Sequence, residues 1–63
     1  MEIVKLNELE VGKDIWFKNP YNTFSYWGEV KDLRYNFEGE SYAIVQVGTK
    51  MYRIDESYTL CVD

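Results

Sequence analysis

A chain of 63 residues with one cysteine, Cys61, and no histidine has nothing to staple it together. It can form no internal disulfide, and no second cysteine or histidine is present to build a zinc site. A chain this short buries only about 60% of the surface that its unfolded form exposes. Its core supplies no more than about 3–5 kcal/mol of net stability. Large side chains must therefore do much of the stabilising, and the sequence has them: two Trp, six Tyr and three Phe. Each ring buries up to about 150–250 Å², and tyrosine joins an apolar ring to a polar tip that suits a half-wet surface. So many rings are hard to hide completely in so few residues, so some of them are expected to form a contact face. Association of copies into a homo-oligomer is a second route to stability.

Eleven acidic residues against seven basic ones give a formal charge of −4. That balance disfavours attraction to nucleic-acid phosphate. Lys31 and Arg34 lie close together, but Glu29 and Asp32 interleave with them, as on a solvated face of mixed charge. The N-terminal stretch runs from Met1 through Ile3 and Val4 to Asn7, Glu8 and Glu10, with no basic segment leading into an apolar one. No apolar run approaches the roughly 20 residues that span a bilayer. With the lone cysteine, these features lead us to expect a cytoplasmic protein that does not enter a membrane.

Gly, Pro and Asn punctuate the chain at fairly even intervals, the mark of several short strands in a single domain over residues 1–63. Leu6 and Leu9, with Asn7 and Glu10 spaced like a weak capping pair, predict one helical turn at residues 7–10 that Gly12 ends. Residues 14–18 carry Ile15, Trp16 and Phe17 in a row and read as a strand. Residues 19–25 form a loop opened by Asn19-Pro20. A long second strand follows at 26–35, with Gly28 as the candidate site of a bend or bulge. Residues 36–40 turn the chain, Gly39 being available for positive φ. Strands at 41–47 and 51–55 flank a tight turn at 48–50. A break at 55–57 precedes a last strand at 58–62. The alternation predicts a core of Ile15, Val30, Leu33, Ala43, Val45, Val47, Ile54, Leu60 and Val62. Trp16 and Phe17 must point to opposite faces, so one of these rings lies away from the core, under a loop or the N-terminal segment.

This order of elements resembles the small SH3-like β-barrel of SH3, Tudor and KOW domains. The resemblance covers about residues 13–63. The turn at Gly48-Thr49-Lys50 stands where that barrel has its distal hairpin, and Asp55-Glu56-Ser57-Tyr58 where SH3 domains carry a single 3₁₀ turn ending in Tyr. Leu6-x-x-Leu9-x-x-Gly12-x-x-Ile15 resembles the lead-in of Tudor- and KOW-type barrels. The resemblance implies an all-β, five-stranded, half-open barrel with a short N-terminal helical turn. It implies binding in general and no particular ligand. The chain also departs from peptide-binding SH3 domains. It has Asn19-Pro20-Tyr21-Asn22-Thr23-Phe24 where they have an Ala-Leu-Tyr-Asp-Tyr-like stretch. Tyr42 stands where they have Trp, and no Pro lies near the 3₁₀ position.

Tyr21, Phe24, Tyr26 and Trp27 cluster in and just after the longest loop, where rings are hard to explain as core. With Tyr58 they are the expected partner-binding face, since such rings supply hot-spot contacts at protein interfaces. The structural alternative is that Phe24 and Trp27 fold back over one end of the barrel. No catalytic constellation is visible. Cys61 has no His to activate it and sits between Leu60 and Val62, as an inert buried thiol would. The acids at Glu38 and Glu40, and at Asp55, Glu56 and Asp63, read as solvated charge rather than a catalytic pair. No phosphate loop, nucleophile elbow or metal-ligand spacing occurs. The expectation is a non-enzymatic protein-binding module, an adaptor or inhibitor, needing no cofactor or metal. A small acidic chain opening on Met1 resembles the accessory proteins that bacteriophages and mobile elements encode against host factors. Two other readings are single-stranded nucleic-acid binding by stacked rings and imitation of nucleic acid by the acidic residues.

Overall fold

The computed structural model describes residues 1–34 and 41–63. These form an all-β fold of six strands with a single short 3₁₀ turn: β1 (Glu2–Val4), η1 (Leu6–Glu8), β2 (Asp14–Lys18), β3 (Ser25–Arg34), β4 (Tyr42–Val47), β5 (Lys50–Ile54) and β6 (Thr59–Val62). The strands make one open antiparallel sheet in the order β1-β6-β2-β3-β4-β5. Among the described residues, no helix is long and apolar enough to cross a membrane.

The expected five strands are therefore six. The additional one, β1, has only three residues, too few to show a period, and its partner β6 lies at the far end of the chain: Ile3 pairs with Cys61. The N-terminal turn starts one residue before the expected span. Glu8, rather than Glu10, closes it: the Lys5 N–H donates to Glu8 Oε1 at 2.9 Å, and the Glu8 N–H to the Lys5 carbonyl at 2.9 Å. This satisfies donors that a turn start leaves free. The expected turn at residues 36–40, with Gly39, Glu38 and Glu40, lies outside the described residues, as does Tyr35 at the expected end of the long strand.

Gly28 does not mark the irregularity in β3. The β3–β4 register slips between Val30 and Asp32, so Lys31 is the extra residue. Gly28 instead permits close approach. A Cβ there would lie 2.6 Å from Val45 Cγ1, 2.7 Å from the Gln46 carbonyl oxygen and 2.8 Å from Val47 Cγ2. Only a residue without a side chain lets β4 pass this close.

Six of the nine expected core residues, Ile15, Val30, Ala43, Val45, Ile54 and Leu60, are buried. Leu33, Val47 and Val62 are half-buried and pack against them. The core also takes in Phe17, fully buried, and Leu6 and Leu9 from the N-terminal segment. In β2, Ile15 and Phe17 face inward and Trp16 faces out, as the pleat requires. One turn of 3₁₀ helix is enough to deliver two leucines, so a segment with little periodicity still contributes to the core.

Candidate functional site

The loop between β2 and β3 is organised by one side chain, Asn19. It is buried. Its Oδ1 accepts the N–H groups of Thr23 at 2.8 Å and Phe24 at 3.2 Å, and its Nδ2 donates to Thr23 Oγ1 at 2.6 Å. The Asn19 N–H donates to the Phe24 carbonyl at 3.3 Å, and the Asn22 N–H to the Asn19 carbonyl at 3.1 Å. Pro20 follows at the second position of this turn, where its fixed φ fits. Asn22 then takes a φ of 62°, in the left-handed region that Asn tolerates better than most residues. Together these bonds return the chain to the sheet with the Phe24 ring against the core.

Phe24 lands in a group of rings. Phe24, Tyr26 and Tyr52 lie mutually close, with centroids 5.6 Å (Phe24–Tyr26), 5.7 Å (Phe24–Tyr52) and 5.5 Å (Tyr26–Tyr52) apart. Phe17 lies beneath, 6.2 Å from Tyr26, 5.6 Å from Tyr52 and 6.3 Å from Tyr58. Tyr58 also stands 6.5 Å from Phe24. All these pairs are tilted, in the range of favourable aromatic contacts. The register explains the grouping: Tyr26 is opposite Phe17, and Tyr52 is opposite Val45, so both belong to the core-facing side. Tyr26 remains 40% exposed. The rings pack on one another at centroid distances of 5.5–6.5 Å. What they offer is a platform of ring faces and phenol edges.

The cluster continues into a cavity of about 390 Å³ between η1 and the β5–β6 turn. Tyr58 belongs to both, and the cavity's other walls include Lys5, Asn7, Glu56 and Leu60. Tyr58 is held by its turn. Asp55 Oδ1 accepts the Ser57 N–H at 2.9 Å and the Ser57 hydroxyl, and the Asp55 carbonyl accepts the Tyr58 N–H at 3.2 Å. The two Ser57 donors hold the Asp55 carboxyl below its usual pKa, with a smaller contribution from the Arg53 charge. The Tyr52 phenol is shifted the other way. Desolvation raises its pKa, and the adjacent Tyr26 phenol raises it further.

Of the five rings expected to form one face, the structure brings together Phe24, Tyr26 and Tyr58. Tyr21 sits on the adjoining loop and is 82% exposed. Trp27 is elsewhere: it pairs with Trp16 on the opposite face of the sheet. Adjacent residues of a strand cannot share a face, which separates Tyr26 from Trp27. Tyr52 is the member that sequence reading missed. Its signal was the spacing Tyr52-x-Ile54, which places it on the same face as a core residue. Tyr42 takes no part, lying under the Arg53 guanidinium at 4.3 Å from the ring centroid. No family model, curated protein or solved structure matches the chain.

Proposed function

We propose that this chain is a non-enzymatic protein-binding module of the SH3-like small-barrel type, acting as an adaptor or inhibitor of a larger protein. It docks through Tyr26, Phe24, Tyr52 and Tyr58, with Tyr21 at the rim. The observation that carries this reading is the layering of the cluster. Phe17, fully buried, supports three mutually packed rings, and Tyr26 stays substantially exposed above it. Rigid, partly exposed aromatic rings on a fixed base lose little entropy on docking and match the anatomy of interface hot spots. The strand sequence β6-β2-β3-β4-β5 and the turn before Tyr58 support the barrel reading.

The test is affinity capture from lysate by wild-type protein and by a Tyr26→Ala variant, washed at low and at high salt. A partner retained by the wild type at high salt and lost from the variant supports the proposal, because an apolar interface resists screening. Capture that vanishes with salt and ignores the substitution overturns it, and favours the nucleic-acid or acidic-mimic reading.

A further inference from the structure

The opposite face of the sheet carries a second surface, independent of the tyrosine cluster. A row of apolar side chains crosses four neighbouring strands: Ile3 on β1, Cys61 on β6, Trp16 on β2 and Trp27 on β3, each opposite the next in the register. Its ends are open, Ile3 being 77% and Trp27 46% exposed. Two residues along β2 and β3, Asp14 stands directly opposite Glu29 on the same face. The Val30 N–H donates to the Lys13 carbonyl at 2.9 Å, which makes Asp14 and Glu29 a non-hydrogen-bonded pair, the type with the closer side chains.

Two like charges directly opposite each other destabilise an antiparallel pair. Glu29 is offset by Lys31, whose Nζ lies 3.1 Å away. Among the described residues, no cation pairs with Asp14. On the far flank of the tryptophans the same face offers Lys18, opposite Ser25 and Thr59. The surface therefore has an apolar centre and one acidic side.

We propose that this face binds a basic extended segment of a partner protein, with an arginine or lysine between Asp14 and Glu29 and its apolar neighbours along the tryptophans. A cation there meets the Asp14 carboxylate, has Glu29 alongside in its pair with Lys31, and lies beside tryptophan, the strongest cation–π acceptor. The occupant is not nucleic acid, whose phosphates Asp14 and Glu29 would repel. Nor is it a second copy, since each copy has a charge of −4 and presents the same two acids.

The chain's two tryptophans both lie on this face, so tryptophan fluorescence reports on it directly. The probe is a capped peptide alternating arginine and valine, with a glutamate-for-arginine peptide as control. The proposal expects a saturable fluorescence change with the arginine peptide alone. The double variant Asp14→Asn, Glu29→Gln should weaken binding by about tenfold. Tyr26→Ala should leave this binding unchanged. No saturable change, or equal binding by the double variant, overturns the proposal. Sedimentation showing a dimer that the same face creates also overturns it, in favour of self-association.

Discussion

Tyr26 and Trp27, consecutive on β3, look in opposite directions: Tyr26 lies across from Phe17 and Trp27 across from Trp16. The two rings therefore belong to different surfaces. Tyr26→Ala and Tyr21→Ala should each weaken docking at the tyrosine cluster by more than about 1 kcal/mol. Tyr21→Ala should barely move the Tm, since that ring is 82% exposed, whereas Tyr26→Ala should lower it, because the ring packs on Phe17, Phe24 and Tyr52. Trp27→Ala should leave that docking intact. Isothermal titration with the captured partner checks the separation. Equal losses from Tyr26→Ala and Trp27→Ala would show that a single partner spans both faces.

Asn19 is the polar residue on which the Phe24 position rests. Asn19→Ala removes the acceptor of two backbone N–H groups and the donor to Thr23. The expected cost is about 1–3 kcal/mol, because buried groups lose their partners. Asn19→Asp keeps the acceptor and should cost less. Denaturant titration measures both, and a loss near zero for Asn19→Ala would mean that Pro20 and the backbone turn hold the loop unaided.

Gly28 and Val45 meet across β3 and β4. Gly28→Ala forces a Cβ to 2.6 Å from Val45 Cγ1 and should cost about 1–3 kcal/mol by overpacking. Val45→Ala should also cost about 1–3 kcal/mol, since that side chain is fully buried. The double variant should lose less than the sum, because the second change removes one of the clashing atoms. Relief should be incomplete, since the Gln46 carbonyl oxygen, 2.7 Å from the new Cβ, is backbone and cannot withdraw as a side chain can. Strict additivity in a double-mutant cycle would contradict this packing.

The strands were legible where period two and turn residues agreed. Ile15, Val45 and Ile54 announce their side of the sheet in the sequence itself. What depends on distant pairing was not legible. β1 exists through β6, and a three-residue strand has no pattern of its own. Gly28 reads as a bulge from local grammar, yet its reason is the approach of β4. The candidate site divided in the same way. Loop position drew attention to Phe24 and Tyr26, which the structure packs together. Grouping residues by nearness in sequence placed Trp27 beside Tyr26, although the pleat already assigns them to opposite faces. Tyr52 joins the cluster only through the fold of the β4–β5 hairpin.

Asp55 gives the turn before Tyr58 a dependence on pH. Its carboxylate is stabilised by the Ser57 hydroxyl and N–H, so its folded pKa lies below its unfolded value of about 3.9. A group depressed in this way contributes stability above its unfolded pKa and loses it as pH falls through the folded one. Asp55→Ala should therefore be less stable than wild type at pH 7, and the difference should shrink as pH drops below about 4. The size at neutral pH should be under about 1 kcal/mol, because the turn is exposed to water. Ser57→Ala should show part of the same effect, having lost the hydroxyl donor and kept the N–H. Because the Asp55 carbonyl also accepts the Tyr58 N–H, loosening this turn should reach the binding cluster. Thermal melts from pH 2 to 7, read beside the Tyr58 ring signals in NMR spectra, test both parts. A wild-type-to-variant gap that stays constant across that range would detach the carboxylate from the turn's stability.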